Sequence, residues 1–146
     1  MSESVSIRIK LSSENWSYRY PSARVYVDDL VIYDKVVEQP DEIVWSGELE
    51  EGTHKLTIEM YGKQGSDTRT DNDGNIIEDV ILNINNVEFD DIDIGYTKWS
   101  HSKYYPDQSS THNAPEKLVE CVDLGWNGRW ELEFYSPVYL WLLENI

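Results

Sequence analysis

The sequence predicts an all-β fold, a two-sheet β-sandwich of jelly-roll-like type, on three observations. Apolar and polar residues alternate with period two, most cleanly in Val5-Ser-Ile7-Arg-Ile9-Lys-Leu11. β-Branched and aromatic residues fill these runs, and Gly, Asn and Asp pairs punctuate them at short, regular spacing. Convincing helical periodicity is absent. A chain of 146 residues is long enough to bury one core, so a single domain over residues 1–146 is expected.

Each element has its own warrant. Val5–Leu11 opens the sandwich. Arg24–Val27 and Leu30–Tyr33 flank Asp28-Asp29, a turn pair that makes them a hairpin. Glu42–Trp45 runs on through Gly47 to Leu49, and Glu51-Gly52 turns the chain into Lys55–Tyr61, with Leu56, Ile58 and Met60 on one face. Val80–Ile84, Val87–Phe89 and Ile92–Ile94 follow as short strands. Gly95 breaks the pattern, and residues 96–115 read as one long aromatic loop. Lys117–Leu124, Arg129–Tyr135 and Val138–Leu143 close the chain as strands, the first two separated by the hairpin signal Asn127-Gly128. Val138–Leu143 is apolar on both faces, so it lies either centrally beneath a loop or against another subunit of a homo-oligomer.

Net charge is −16, and residues 25–95 hold nineteen acidic against four basic residues. Phosphate backbones and anionic membranes need a basic face, so nucleic acid and membrane are not expected partners. Cations, neutral sugars or a basic protein surface suit this balance, although acidic surface also serves plain solubility. The lone cysteine, Cys121, excludes an intrachain disulfide and sits in an apolar run as an inert thiol. No basic segment followed by an apolar core opens the chain, so neither a signal peptide nor a membrane span is expected.

The densest chemistry lies in the stretch from Asp67 to Asp79, with five carboxylates at Asp67, Asp71, Asp73, Glu78 and Asp79. Hard cations such as calcium need convergent oxygens, and crowded carboxylates repel unless a cation or protons neutralise them. Asp71, Asp73, Glu78 and Asp79 are therefore candidate calcium ligands; the alternative is a splayed, solvated loop in which Asn72, Gly74 and Asn75 permit tight turning. An EF-hand is excluded. With Gly74 at the sixth loop position, the first and twelfth fall on Arg69 and Val80, which cannot serve.

The run from Gly52 through Phe89 resembles the calcium-dependent xylan-binding type of carbohydrate-binding module. Gly52-Thr-His-Lys-Leu-Thr-Ile-Glu-Met60 supplies a strand introduced by a turn glycine, and Asn75-Ile-Ile-Glu-Asp79-Val-Ile-Leu-Asn-Ile-Asn-Asn86 supplies the strand after an acidic loop. The resemblance implies a β-sandwich, glycan as ligand, and Asp79 as a calcium ligand. The family's Asn-Asp pair after the first strand is Gly62-Lys63 here. The hairpin, the Asp73-Gly74-Asn75 loop and the Asp90-Asp-Ile-Asp-Ile94 ending also resemble small virion proteins of tailed phages, which implies an accessory role in a phage particle.

Tyr96, Trp99, Tyr104 and Tyr105 fall within the long loop and form the candidate ligand-binding surface. Aromatic rings stack on the apolar faces of sugars and equally suit a protein interface or a satellite core. Glu131 and Glu133 share one strand face, but 28 acidic residues make any carboxylate pair uninformative about glycosidase chemistry. His54, His101 and His112 lack zinc-ligand spacing, and no nucleophile elbow or phosphate loop occurs. The expected function is thus non-catalytic: a carbohydrate-binding sandwich, calcium-dependent, within a larger assembly such as a phage particle. The competing expectation is a structural virion or assembly protein that meets protein subunits through its aromatic loop and C-terminal strand.

Overall fold

Period-two alternation becomes two stacked antiparallel sheets in the computed structural model, which describes residues 1–15, 19–64, 67–107 and 114–146, apart from the side chains of Asn15 and Glu78. The strands are β1 (Ser2–Asn15), β2 (Ser22–Val27), β3 (Leu30–Val36), β4 (Asp41–Glu50), β5 (Gly52–Tyr61), β6 (Arg69–Thr70), β7 (Ile76–Glu78), β8 (Val80–Phe89), β9 (Ile92–Asp93), β10 (Ser102–Pro106), β11 (Leu118–Val119), β12 (Asp123–Leu124) and β13 (Gly128–Ser136). Two helices join them, α1 (Thr97–Ser100) and α2 (Val138–Asn145). One sheet runs β12-β8-β1-β4 with β9 beside β8, the other runs β11-β10-β13-β5-β2-β3, and β6-β7 is a separate hairpin. The expected two-sheet sandwich is the observed fold.

Alternation decides which side chains are inside. Val5, Ile7, Ile9 and Leu11 of β1 face Leu56, Ile58 and Met60 of β5 and Trp130, Leu132 and Phe134 of β13 in one buried cluster. Asp28-Asp29 does join β2 to β3. Asp90 and Asp91 both adopt positive φ, +50° and +66°, which gives the two-residue link from β8 to β9 the twist such hairpins favour. Val80–Ile84 and Val87–Phe89, expected as separate strands, form one strand. Lys10 pairs with Asn86 and Leu11 with Ile84, so Asn85 is the extra residue of a bulge that restores the inward phase at Val87.

Three expectations are corrected. Val138–Leu143 is a helix: Val138, Trp141 and Leu142, spaced three and four apart, are its buried residues. Trp141 meets Phe89 edge-on at 5.5 Å and Phe134 at 6.3 Å, capping one end of the sandwich. Lys117–Leu124 is not one strand, since β11 pairs with β10 in one sheet and β12 with β8 in the other. Asn127-Gly128 consequently closes no hairpin. Within the loop expected over 96–115, Thr97–Ser100 form α1 and Ser102–Pro106 form β10, while residues 108–113 lie outside the described residues. Among the described residues no helix is long and apolar enough to cross a membrane.

His54, at the start of β5, gives the fold a pH dependence. Burial of the ring opposes its charge, but hydrogen bonds to the Glu50 carbonyl (2.6 Å) and the Asp28 carboxylate (2.7 Å) outweigh it and raise the pKa above the ordinary 6.5. Both partners are acceptors, so only the doubly protonated ring satisfies both. A raised folded pKa means that the native state holds the proton more tightly than the unfolded chain. This stabilisation is fully present below 6.5 and is lost as pH rises through the folded value. Urea midpoints are expected to fall between about pH 6 and about pH 8.5, and His54→Gln should flatten that slope.

Candidate ligand-binding site

The four aromatic residues expected to form one surface are divided by the strand that carries two of them. Along β10, Ser102, Tyr104 and Pro106 point inward while Lys103 and Tyr105 point outward. Tyr104 is 0% exposed, and its hydroxyl is bonded to the backbone of Trp126. It is a core residue and cannot stack on a ligand. Tyr96 is 70% exposed, with its ring 4.8 Å from that of Trp99. These two sit beside the C-terminus of α2, where the Thr97 hydroxyl donates to the Asn145 carbonyl at 2.6 Å. Tyr105 belongs to the opposite end of the sandwich, since it pairs with Arg129 at the start of β13.

That opposite end carries a pocket of about 460 Å³, lined by Glu59, Tyr61, Gly62, Tyr105, Asp107, Asn127 and Arg129 among others. Strand register builds it. Tyr105, Arg129, Glu59, Arg24 and Asp34 lie side by side across β10, β13, β5, β2 and β3, all on the outward face. Gly128 is required next to them, because a Cβ there would sit 2.4 Å from the Tyr105 carbonyl oxygen.

The row is electrostatically ordered. Glu59 accepts from Arg24 at 3.1 Å and from the Tyr26 hydroxyl at 2.9 Å. Arg24 also bonds Asp34 at 3.1 Å and lies 4.5 Å above the Tyr61 ring. The Tyr61 hydroxyl donates to Asp34; this bond raises the phenol pKa and, ahead of Arg24, lowers that of the carboxylate. Both groups therefore hold their neutral-pH states, a donating phenol and a charged acceptor. Arg129 sets its guanidinium over the Tyr26 ring at 5.0 Å, a cation–π contact. Tyrosine rings, a guanidinium, a side-chain amide and carboxylates line this pocket, a set that suits polyhydroxylated rings. Sequence reading missed Arg24, Glu59, Tyr61, Asn127 and Arg129. The period-two pattern could have placed Glu59, Tyr61 and Arg129 on an outward face, but which strands lie side by side is a property of topology.

The acidic loop is differently organised from a metal site. Asp67 is buried and paired with Arg19 at 2.9 Å. Asp71 accepts the backbone N–H groups of Asp73 and Asn75, both at 2.9 Å, and such backbone bonds lower its pKa. Asp73 is exposed, and the side chain of Glu78 lies outside the described residues. Asp79 takes the Lys63 ammonium at 2.5 Å and the Thr68 hydroxyl at 2.7 Å. Among the described residues no three His, Cys, Asp or Glu side chains are placed to share a metal ion. The described donors do not fit calcium, and Asp79, carried over as a ligand, is instead the partner of a lysine. Glu131, one of the strand-face acids, is paired with Lys55 at 3.1 Å.

No family model and no curated protein matches the chain. Two solved structures share its fold. A selenomethionine form of the carbohydrate-binding module vCBM60, described with a circular permutation linking two families of calcium-dependent carbohydrate-binding modules, aligns with a TM-score of 0.57 at 9% identity, over 88% of this chain and 89% of that one. vCBM60 in complex with galactobiose aligns with a TM-score of 0.51 at 10% identity, over 87% of this chain and 96% of that one. At such identities the likeness is one of architecture: this chain is folded as a carbohydrate-binding-module β-sandwich.

Proposed function

We propose that the protein is a non-catalytic glycan-binding module whose site is the pocket between Tyr61, Tyr105, Asn127 and Arg129. The observation that carries this reading is the pocket itself, where two tyrosines and an arginine edge converge on a fold shared with vCBM60. Tyr61 and Tyr105 supply stacking faces, while Arg129, Asn127 and Asp107 supply donors and acceptors for hydroxyl groups. Galactobiose, the ligand of vCBM60, is a natural first probe. Calcium dependence is the finer form that the likeness invites, so a glycan array should be read both in calcium and in chelator. Binding to defined sugars on the array is the expected result.

A second reading has its own observation. Tyr96, Tyr139, Leu140, Leu143 and Ile146 are exposed apolar residues around α1 and α2. Such a patch suits a contact with protein subunits of a larger assembly, a phage particle included. A blank array together with a stable oligomer in light scattering would move the assignment to this reading.

A further inference from the structure

We infer that the Lys63 ammonium is the cation that organises the loops behind the pocket, so that this sandwich keeps its binding end in order without calcium. Lys63 follows β5 immediately after Gly62, whose φ of +83° turns the chain out of the sheet. Its Nζ donates to the Asp79 carboxylate at 2.5 Å and to the Gly125 carbonyl at 2.6 Å. The two side chains are only 10% and 13% exposed. Asp79 Oδ1 also accepts from the Thr68 hydroxyl at 2.7 Å and from the Val80 N–H at 2.8 Å.

The Lys63 backbone is fixed as firmly as its side chain. Its N–H donates to Asn127 Oδ1 at 2.9 Å, and the Asn127 amide donates back to its carbonyl at 2.8 Å. One residue thus ties together three segments distant in sequence, the end of β5, the Thr68 and Asp79 flanks of the acidic loop, and Gly125–Asn127. Gly62 and Asn127 are pocket walls.

The oxygens gathered here, a carboxylate, a backbone carbonyl and a hydroxyl, are those a hard cation would choose. A primary ammonium already holds two of them, and a divalent ion could enter only by displacing a like charge from a nearly buried partner. The chain departs in this respect from the calcium-dependent modules whose architecture it shares.

Melting curves and hydrogen exchange test this without any sugar, so a failure of the glycan reading and a failure of this inference are distinguishable. The wild-type melting temperature should be the same in millimolar calcium and in EDTA. Lys63→Met leaves Asp79 nearly buried and unpaired and should lower the melting temperature by roughly 10 °C. Exchange should accelerate at the amides of residues 79–80 and 125–128. Should Lys63→Met fail to fold, Asp79→Asn, which keeps shape and one acceptor, is expected to give a smaller drop with the same pattern of exchange. A melting temperature that rises in calcium or falls in EDTA would overturn the inference. So would wild-type melting and exchange in both variants.

Discussion

Trp130→Ala is expected to remove roughly 4 kcal/mol of stability, the largest loss of any single change considered for this chain. Trp130 is fully buried near the start of β13, an interior strand of its sheet, with Tyr104 of β10 on one side and Ile58 of β5 on the other. Truncation opens a cavity that close-packed strands cannot collapse, because their backbones are fixed by ladder hydrogen bonds on both edges. It also deletes the indole N–H donated to the Cys121 carbonyl at 3.0 Å, which among the described residues then keeps the long 3.4 Å bond from the Ser102 hydroxyl. A loss of this size is a large fraction of the roughly 5–15 kcal/mol that holds a domain folded. Urea unfolding followed by circular dichroism should show the midpoint falling steeply with the slope unchanged. Trp130→Phe separates the two causes: it restores most of the volume but not the donor, and should lose roughly 1–2 kcal/mol. Equal losses in the two variants would mean that the hydrogen bond, not the packing, carries the site.

Much of the fold was legible because inward positions on β1, β5 and β13 repeat every second residue, a local signal. The misreadings have equally local causes. Val138–Leu143 is six apolar residues in a row, and such a run has no periodicity to tell a strand from a helix. Only packing of Trp141 against Phe89 and Phe134 settles it, and Phe89 lies on a strand far away in sequence. Residues 102–106 do alternate, but five residues between a short helix and polar sequence are too few to read as a strand. The acidic loop has partners that its local sequence does not reveal. Its carboxylates were weighed against one another, whereas Asp67 and Asp79 are neutralised by Arg19 and Lys63, residues outside the loop. Long-range ion pairs leave no trace in local composition. The pocket was invisible in the same way, since Tyr105, Arg129 and Glu59 of its wall come from three different strands.

Tyr105→Ala should lower affinity for the best glycan on the array roughly 10- to 30-fold while leaving the melting temperature within a few degrees of wild type. The ring is 38% exposed on the outward face of β10, so its removal opens no cavity in the core. What it removes is a rigid stacking face at the pocket wall, and aromatic anchors of this kind account for most of the loss in truncation series. Tyr105→Phe keeps that face and should keep most of the affinity. Arg129→Ala tests the other half of the recognition: it should weaken binding without touching the ring, through loss of the guanidinium edge. Tyr96→Ala is the positional control. Tyr96 precedes α1, which leads into the Ser102 end of β10 beside α2, whereas Tyr105 lies at the other end of that strand, about 10 Å away along its axis. Titration calorimetry of the four variants against one sugar locates the site. Losses at Tyr105 and Arg129 with none at Tyr96 place it in the pocket. The reverse pattern would transfer sugar binding to the exposed Tyr96–Trp99 pair and leave the pocket without a role in recognition.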